Sequence, residues 1–327
     1  MIYYLQEKKE ESCNAGSKAR NDVDSILSKS YIPAKLYTNG KKNVIKRVTD
    51  TFLFSWKFKT DDVLKVQYPM WIGYNKLLPF ICNRVRTIVI VHDLIDLRDG
   101  NKDGTEYKFY KNAFKIISHN DAMTNYIVSK GISKHKIINL GLFDYLVDSV
   151  NEIDSDTRAI CYAGSLDKAG FLREFSNKLN NLYINVYGVG FTEKLNSENI
   201  NYCGSYPSDV IHEKLDGRFG LIWDGDEIVT CSGMRGEYLK YNNPHKASMY
   251  IAAGLPLIVW KQSALANFVI KHKIGIVIDK LDEVEVAISK IAEEEYQLFV
   301  NNVSDIQKNI NNGYYLSGAL NKALDNK

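Results

Sequence analysis

The stretch "YLKYNNPHKASMYIAAGLPLIVW", residues 238–260, contains the two local patterns from which the fold is built. Pro-His-Lys begins an alanine-rich helix, Ala-Ala-Gly-Leu-Pro ends it, and a short apolar strand follows. Helix N-termini attract anions, because their backbone N–H groups are unpaired and the helix dipole is positive there. Asn242, Asn243, His245 and Lys246 at this N-terminus therefore predict a site for a ligand that carries phosphate.

The same alternation of strand and helix runs through the first half of the chain. The predicted strands are Ile2–Leu5, Ala34–Tyr37, Val63–Gln67, Thr87–His92, Lys115–Ser118 and Lys136–Leu140. The predicted helices are Lys18–Ser30, Val44–Ser55, Ile72–Cys82, Thr105–Asn112 and Asp121–Lys130. A polar, acidic stretch, Asn151–Asp156, then reads as a linker.

A second series of strands and helices follows this linker. Its predicted strands are Ala159–Ala163, Leu182–Tyr187, Asn201–Cys203, Gly220–Trp223, Leu257–Trp260 and Gly275–Ile278. Its predicted helices are Lys168–Lys178, Ser208–Leu215, Lys246–Ala253, Ala264–Lys271 and Leu281–Glu293. Such alternation predicts an α/β protein with two doubly wound, Rossmann-like domains and ligands at the carboxyl ends of the strands. We expect domains at 1–152 and 153–300, and a helical segment at 301–327 that returns to the first domain.

Composition excludes several classes of protein. The chain has 327 residues, 45% hydrophobic and 25% charged, and its net charge of +3 argues against bulk nucleic-acid binding. Five cysteines without CxxC spacing favour reduced thiols over a disulfide framework. The N-terminus is charged too early for a signal peptide, and no apolar run reaches the length of a membrane span. We therefore expect a soluble protein in the cytoplasm.

Two glycine-containing turns follow predicted strands of the second domain. Gly164 and Ser165 lead to Lys168, an arrangement that lets backbone N–H groups and one ammonium reach a phosphate. Tyr187 and Gly188 begin like a dinucleotide fingerprint, but the third glycine and the distal acidic residue are missing, which excludes a nicotinamide cofactor. A nucleobase beside this turn remains reasonable. Ordinary tight turns explain both patterns equally well.

Acidic residues and histidines follow other strands. Asp224 and Asp226 form an Asp-x-Asp pattern that could hold a divalent cation, although a turn with acceptor side chains also explains it. His92 and Asp93 end a buried strand, where a base that deprotonates a hydroxyl would be placed. Asp93 could equally cap the next segment. His119 ends the following strand and is expected to be structural.

The loop Asn14–Arg20 follows the first strand with small residues and then two cations at a helix start. In a doubly wound fold this loop is expected to reach the ligand. It could touch a phosphate or an acceptor. A solvated surface loop is the competing explanation.

Several of these segments together resemble a known family. "HDLIDLRDG", "ISHNDAM", "FDYLV", "GLIWDGDEIVTCSG", "YLKYNNPHKASMY" and "NAGSKARND" resemble the bacterial β-1,6-galactofuranosyltransferases of O-antigen and capsule assembly. A more distant resemblance links the chain to the glucosyltransferases that extend glycans on serine-rich-repeat adhesins. The resemblance implies the GT-B architecture, in which two Rossmann-like domains face each other across a cleft and the C-terminal one holds a nucleotide-sugar donor.

The resemblance also implies roles for individual residues. Lys246, with His245 beside it, matches the lysine that holds the donor diphosphate, and Lys168 falls at a basic phosphate ligand. Ser17 lies near the loop position that approaches the donor, and Tyr206 near an aromatic residue beside the nucleotide. The implied enzyme needs no metal, which leaves Asp224 and Asp226 without a metal role.

These expectations combine into one predicted reaction. A hexosyl unit, galactofuranose as the first choice, moves from a UDP-sugar to a glycan hydroxyl with inversion, and Asp93, or alternatively His92, is the base. The alternatives are transfer of glucose or another hexose to a protein-linked glycan, a UDP-sugar 2-epimerase, and a nucleotide-sugar-binding partner without activity. The expected partners are the donor, a glycan acceptor that includes lipid-linked glycans, the inner face of the membrane through a peripheral contact, and further copies of the chain, with no nucleic acid.

Overall fold

The computed structural model describes residues 1–6, 15–36, 44–70, 77–100, 104–148 and 158–325. The chain divides into two compact units. The first contains Met1–Glu10, Arg20–Gly141 and Tyr315–Lys327, and the second contains Glu11–Ala19 and Leu142–Tyr314. The predicted linker Asn151–Asp156 and the predicted boundary between residues 152 and 153 lie outside the described residues.

The first unit is built on a parallel six-stranded sheet. Its strands are β1 (Ile2–Leu5), β2 (Ile32–Ala34), β3 (Val63–Tyr68), β4 (Arg86–Val91), β5 (Lys115–Ser118) and β6 (Ile137–Asn139), in the order β2-β1-β3-β4-β5-β6. Its helices are α1 (Ala15–Ser28, whose first residues belong to the second unit), α2 (Val44–Ser55), α3 (Leu78–Cys82), α4 (Ile95–Arg98), α5 (Thr105–Asn112) and α6 (Asp121–Ser129). β3 and β4 are almost wholly buried, as expected for parallel strands covered on both faces.

The second unit is also a parallel six-stranded sheet. Its strands are β7 (Ala159–Ala163), β8 (Tyr183–Tyr187), β9 (Ile200–Tyr202), β10 (Phe219–Ile222), β11 (Leu257–Trp260) and β12 (Gly275–Ile278). Its helices are α7 (Phe171–Ser176), α8 (Gly233–Tyr238), α9 (His245–Ala252), α10 (Ala266–His272), α11 (Val284–Ser289) and α12 (Glu293–Asn311). A last helix, α13 (Tyr314–Asp325), returns the chain to the first unit.

The strand order of the second sheet is that of a dinucleotide-binding Rossmann domain. From edge to edge it is β9-β8-β7-β10-β11-β12. The direction of winding reverses between β7 and β10, which pair directly through Phe219 and Ile160. Ligands of such sheets bind beyond the carboxyl ends of the strands at this reversal. The fold therefore directs attention to Gly164, after β7, and Asp224, after β10.

The helix that precedes β11 ends where the sequence pattern predicts a stop. Gly254 has φ +82°, a conformation that glycine adopts without strain. The N–H groups of Gly254 and Leu255 donate to the carbonyls of Ile251 and Tyr250, a Schellman arrangement. This cap turns the chain sharply from α9 into β11.

Two predicted elements differ from the structure in their bounds or type. The predicted strand Ala34–Tyr37 is β2, which begins at Ile32 and includes Pro33. A proline is tolerated there because β2 is an edge strand. The predicted helix Ser208–Leu215 contains only a 3-10 turn at Ile211–Glu213.

Two predicted helices are interrupted. In Lys168–Lys178, a 3-10 turn ends at Lys168 and α7 begins at Phe171. Gly170 lies between them, where a Cβ atom would come within 2.4 Å of Asp226. Close packing of two loops thus breaks this helix. Likewise, Leu281–Glu293 consists of a 3-10 turn followed by the short helix α11.

Candidate functional site

Lys246 lies at the reversal point of the second sheet. It is in the first turn of α9, and its Nζ atom donates to Asp224 Oδ1 at 2.8 Å and to the Tyr162 hydroxyl at 3.3 Å. Its side chain is 18% exposed. An ammonium has three donor hydrogens. Two of them are used by these two acceptors among the described residues, so one remains for a ligand oxygen. The sequence analysis did not identify Tyr162 as a site residue, because the only signal for it is its position in the alternating pattern of β7.

The charge of Lys246 is stabilised by its surroundings. Burial alone would lower the pKa of its ammonium, but the Asp224 carboxylate and the Tyr162 hydroxyl outweigh burial and raise this pKa. Burial also raises the pKa of Tyr162, which keeps that hydroxyl protonated. Lys246 therefore presents a permanent positive charge at the strand ends.

Gly164 lies directly beside this charge. A Cβ atom on Gly164 would lie 3.4 Å from Lys246 Cε and 3.6 Å from the Tyr162 hydroxyl. The carbonyl of Gly164 packs against Gly188, where a Cβ atom would come within 1.8 Å and φ is +135°. Only glycine fits at Gly188, so the turns after β7 and β8 form one continuous surface.

Ser165 and Lys168 follow Gly164 in a 3-10 turn. Ser165 donates its hydroxyl hydrogen to the carboxylate of Asp167, and this bond lowers the pKa of Asp167. Lys168 is exposed at the end of the turn. The turn thus places a hydroxyl and a second ammonium at the carboxyl ends of the strands, the edge of the sheet at which Lys246 also lies.

Tyr187 and Tyr206 pack against each other with ring centroids 6.4 Å apart. Tyr187 is buried, and its hydroxyl accepts from the backbone N–H of Asp216, so it has a structural role. Tyr206 is half-buried, and its ring edge would lie 3.6 Å from a Cβ atom on Gly204. Of the two aromatic residues, Tyr206 is the one whose ring can contact a ligand.

His245 lies between two aromatic rings at the start of α9. The ring centroids of Tyr145 and Phe143 are 5.1 Å and 5.9 Å from its imidazole. Burial, together with the positive charge of Lys18, lowers the pKa of His245 to about 3. The imidazole is therefore neutral at physiological pH and cannot serve as a second cation for a diphosphate.

The N-terminal segment with Ser17 and Lys18 belongs to the second unit. Lys18 Nζ donates to the Leu146 carbonyl at 2.6 Å and lies 4.8 Å from the centre of the Tyr145 ring. Ser17 is buried, with 3% of its surface exposed. Asn14, the first residue of the predicted loop, lies outside the described residues.

Asp224 and Asp226 have different surroundings. Asp224 forms the ion pair with Lys246, whereas Asp226 is exposed and its backbone N–H donates to Ser232 Oγ. Among the described residues, no three His, Cys, Asp or Glu side chains are grouped as metal ligands would be. The structure thus gives Asp224 a specific task, which is to hold and charge Lys246.

In the first unit, His92 belongs to a hydrogen-bonded chain. Gln67 Nε2 donates to Asp24 Oδ1 at 2.8 Å, and its Oε1 lies 2.6 Å from His92 Nε2. Because the amide nitrogen faces a carboxylate, Oε1 is an acceptor and His92 Nε2 carries the hydrogen. The other ring nitrogen, Nδ1, is then the basic one.

Asp93, next to His92, forms an ion pair with Arg98. Its side chain is 22% exposed. His119, at the end of β5, is buried, and its Nε2 is 3.0 Å from the Val91 carbonyl. Burial lowers the pKa of His119 to about 4, consistent with the structural role expected for it.

Comparison with known proteins identifies the family. The N-terminal domain model of the glucosyltransferase 3-like proteins matches residues 2–142, and the C-terminal domain model matches residues 160–323. The chain belongs to the glucosyltransferase 3-like family. The resemblance noted in the sequence is thereby confirmed.

Curated relatives of this glucosyltransferase 3-like protein are sugar transferases. The β-1,6-galactofuranosyltransferase WbbI of Escherichia coli (strain K12) is 32% identical, over 99% of this chain and 98% of its own. Glucosyltransferase 3 of Streptococcus gordonii is 24% identical, over 94% of this chain and 93% of its own. The protein is therefore a glycosyltransferase that transfers a hexosyl unit.

Solved structures confirm the GT-B architecture. The Anabaena protein Alr3699/HepE, solved with UDP, superposes with a TM-score of 0.63 at 9% identity, over all of both chains. At this identity the likeness concerns the fold alone. None of the described helices combines the length and apolarity that crossing a bilayer requires.

Proposed function

We propose that this hexosyltransferase moves galactofuranose from UDP-galactofuranose to a hydroxyl of a surface-polysaccharide or other glycan acceptor. The relative of that activity is 32% identical over nearly the whole chain, which supports the sugar. HepE, solved with UDP, supports the nucleotide. Transfer of glucose is the second candidate, supported by the family description and by the streptococcal relative.

The observation that carries the proposal is the ammonium of Lys246 beside Gly164. A diphosphate against this turn would receive the remaining donor of Lys246 and the backbone N–H of Ser165, whereas the N–H of Gly164 already donates to the Tyr187 carbonyl at 3.0 Å. Lys168 would neutralise further charge from the same turn. These groups stabilise the charge that develops on UDP as the bond between the sugar and the phosphate oxygen breaks.

In the proposed reaction the acceptor oxygen attacks the anomeric carbon on the face opposite UDP. A bond from the acceptor oxygen to the anomeric carbon forms, the bond to the phosphate oxygen breaks, and its electron pair leaves with UDP. The proton of the acceptor hydroxyl passes to Asp93, with His92 as the rival base. The configuration inverts, and lysines rather than a metal ion offset the charge.

Substitution of Lys246 by alanine tests the site directly. We expect Lys246→Ala to lower kcat by about 10²–10³-fold, the usual cost of removing a group that stabilises transition-state charge. Lys261→Ala is the matched control, because Lys261 forms an exposed ion pair with Asp279 at 2.7 Å in the same unit. Equal turnover in the two variants would remove Lys246 from the mechanism.

A donor screen tests the choice of sugar. UDP-galactofuranose, UDP-galactopyranose, UDP-glucose and UDP-N-acetylglucosamine are offered with glycan acceptors, and released UDP and the anomeric configuration of the product are measured. Preference for UDP-glucose would replace the first candidate by the second, and turnover of a UDP-sugar without acceptor would favour an epimerase. The screen is repeated in EDTA, where we expect full activity. Loss in EDTA with recovery in Mn²⁺ would contradict metal independence.

A further inference from the structure

One helix of the first unit exposes a row of large apolar side chains. On α2, Ile45, Val48 and Phe52 follow a helical repeat and are 77%, 49% and 44% exposed. Leu53 and Trp56 extend the row and are 63% and 57% exposed. With Phe80 of α3, these residues are called here the α2 apolar surface.

The exposed row is separate from the face that holds α2 in the fold. Thr51, Phe54 and Ser55 are buried and attach the helix to the first unit. These inward residues anchor the helix, and the outward apolar residues keep much of their surface exposed although Phe52 also touches Phe80. Contiguous exposed apolar side chains of this size mark a surface that contacts a partner or a membrane.

The aromatic members of the surface contact one another. The ring of Phe52 is 5.5 Å from that of Trp56 and 5.8 Å from that of Phe80. The guanidinium of Arg84 lies 4.2 Å from the Trp56 ring centre. Aromatic rings beside a cation, on the exposed face of a helix, are typical of segments that lie in a lipid interface.

Charge selects the occupant of this surface. Residues 44–62 carry four cations, at Lys46, Arg47, Lys57 and Lys59, against Asp50, Asp61 and Asp62, of which Asp62 is already paired with the N-terminal ammonium. One oxygen of Asp50 is buried, so this carboxylate is directed inward. A symmetric dimer through this surface would bring the two cation-rich faces together, which disfavours a second copy of the chain. An anionic bilayer offers both negative headgroups and an apolar interior.

We propose that the α2 apolar surface docks the protein on anionic phospholipid membranes, with Phe52, Leu53 and Trp56 inserted at the headgroup boundary. Such binding is peripheral and reversible, and it combines apolar insertion with attraction of cations to the headgroups. The proposal is independent of the donor and of the acceptor.

Vesicle flotation with the full chain tests the proposal. We expect binding to phosphatidylcholine vesicles that contain phosphatidylglycerol, weak binding to phosphatidylcholine alone, and a steep loss with added salt. The variant F52S/L53S/W56S should reduce the partition coefficient by at least about 10-fold. The control V286S/L298S removes two exposed apolar side chains of the second unit and should bind like the parent protein.

The charge contribution has its own variant pair. Lys57→Gln with Lys59→Gln should lower partition by about five-fold for each charge. Lys261→Gln with Lys308→Gln, which removes exposed cations of the second unit, should have little effect. Equal losses in the two pairs would show attraction of the whole chain and would overturn docking through α2.

A second measurement does not depend on how well the triple variant folds. Trp56→Phe keeps an aromatic ring, and the comparison is made in a Trp71→Phe background, where the other two tryptophans, Trp223 and Trp260, are fully buried. Lipids brominated in the acyl chains should quench the fluorescence of the parent protein, and Trp56→Phe should lose most of that quenching while it still binds. Undiminished quenching in Trp56→Phe, no binding to anionic vesicles, or a dimer in light scattering that the triple variant abolishes would each overturn the proposal.

Discussion

At the scale of single residues, the pair formed by Lys246 and Asp224 determines the electrostatics of the site. Asp224 follows β10 in an Asp-x-Asp pattern that could hold a metal ion, but its carboxylate accepts a hydrogen bond from the lysine. The pair is 22 residues apart in sequence, and no local pattern announces it. The connection from β10 through α8 to the start of α9 brings the two side chains together, and the pairing of β7 with β10 adds Tyr162.

Removal of Asp224 should expose the cost of burying Lys246. In Asp224→Asn the opposing effect of burial remains, so the pKa of Lys246 should fall from its raised value. We expect UDP affinity, measured by calorimetry, to weaken as pH rises from 7 to 10 in this variant, while the parent protein stays constant. Asp226→Asn is the control, since Asp226 does not pair with Lys246. The same pH dependence in both variants would contradict the role given to Asp224.

The base can be identified by comparing two neighbours. We expect Asp93→Asn to lower kcat by about 10²–10⁴-fold, the usual contribution of general base catalysis. His92→Gln should cost less if Asp93 is the base, because glutamine keeps a polar group beside Gln67. Measured kcat values and pH profiles with the preferred donor decide the matter. The reverse order of losses would assign the base to His92.

At the scale of secondary structure, Tyr250 of α9 connects the helix to the neighbouring strands. Its hydroxyl accepts from the Ala163 backbone N–H at 2.8 Å, and its ring fills the space above Gly220, where a Cβ atom would come within 2.3 Å. Tyr250 is one helical turn after Lys246, so both lie on the same face of α9. This contact fixes the position of the helix start relative to the turn at Gly164.

Tyr250→Phe should therefore affect both stability and donor binding. It leaves the buried N–H of Ala163 without an acceptor, at a cost of about 1–3 kcal/mol in the free energy of unfolding. Denaturant unfolding and UDP calorimetry measure the two effects. Tyr296→Phe is a matched control, because the Tyr296 hydroxyl donates to the Arg218 carbonyl and not to a residue of the candidate site. A loss of UDP affinity in Tyr296→Phe as large as in Tyr250→Phe would contradict a local role.

Sequence patterns predicted the elements better than their contacts. The alternation of strand and helix gave α2, α5, β5 and β7 with the observed bounds, because period and flanking turns are local properties. The helix expected at Ser208–Leu215 was wrong, since apolar spacing alone does not ensure a full helix. The neutral state of His245 was also beyond local reasoning, because it depends on Lys18 and on burial.

At the scale of the whole molecule, a buried cation makes stability depend on pH. Lys65 is 1% exposed at the centre of β3, its Nζ atom lies 3.1 Å from the Tyr31 ring centre, and burial lowers its pKa to about 7. Below pH 7 both the folded and the unfolded chain hold this proton. Between pH 7 and 10.5 the unfolded chain holds a proton that the folded chain lacks, so raising the pH favours folding.

The free energy of unfolding should consequently gain up to about 1.4 kcal/mol per pH unit from Lys65 above pH 7. Lys65→Met removes the titrating group while keeping an apolar side chain of similar length. We expect this variant to be more stable than the parent protein at pH 7 and to lack that part of the rise toward pH 10. Urea unfolding at several pH values measures both quantities, and an unchanged slope in Lys65→Met would contradict the assignment.

The path of the chain between the two units has a consequence for synthesis. The first unit includes Tyr315–Lys327, which follow the entire second unit in sequence. A ribosome must therefore translate the second sheet before α13 can join the first. A protease cut after Gly141 would likewise leave an amino-terminal fragment without its last helix. If residues 1–141 and 142–327 are expressed from separate genes, the first fragment should fold only when the second, which carries α13, is expressed with it.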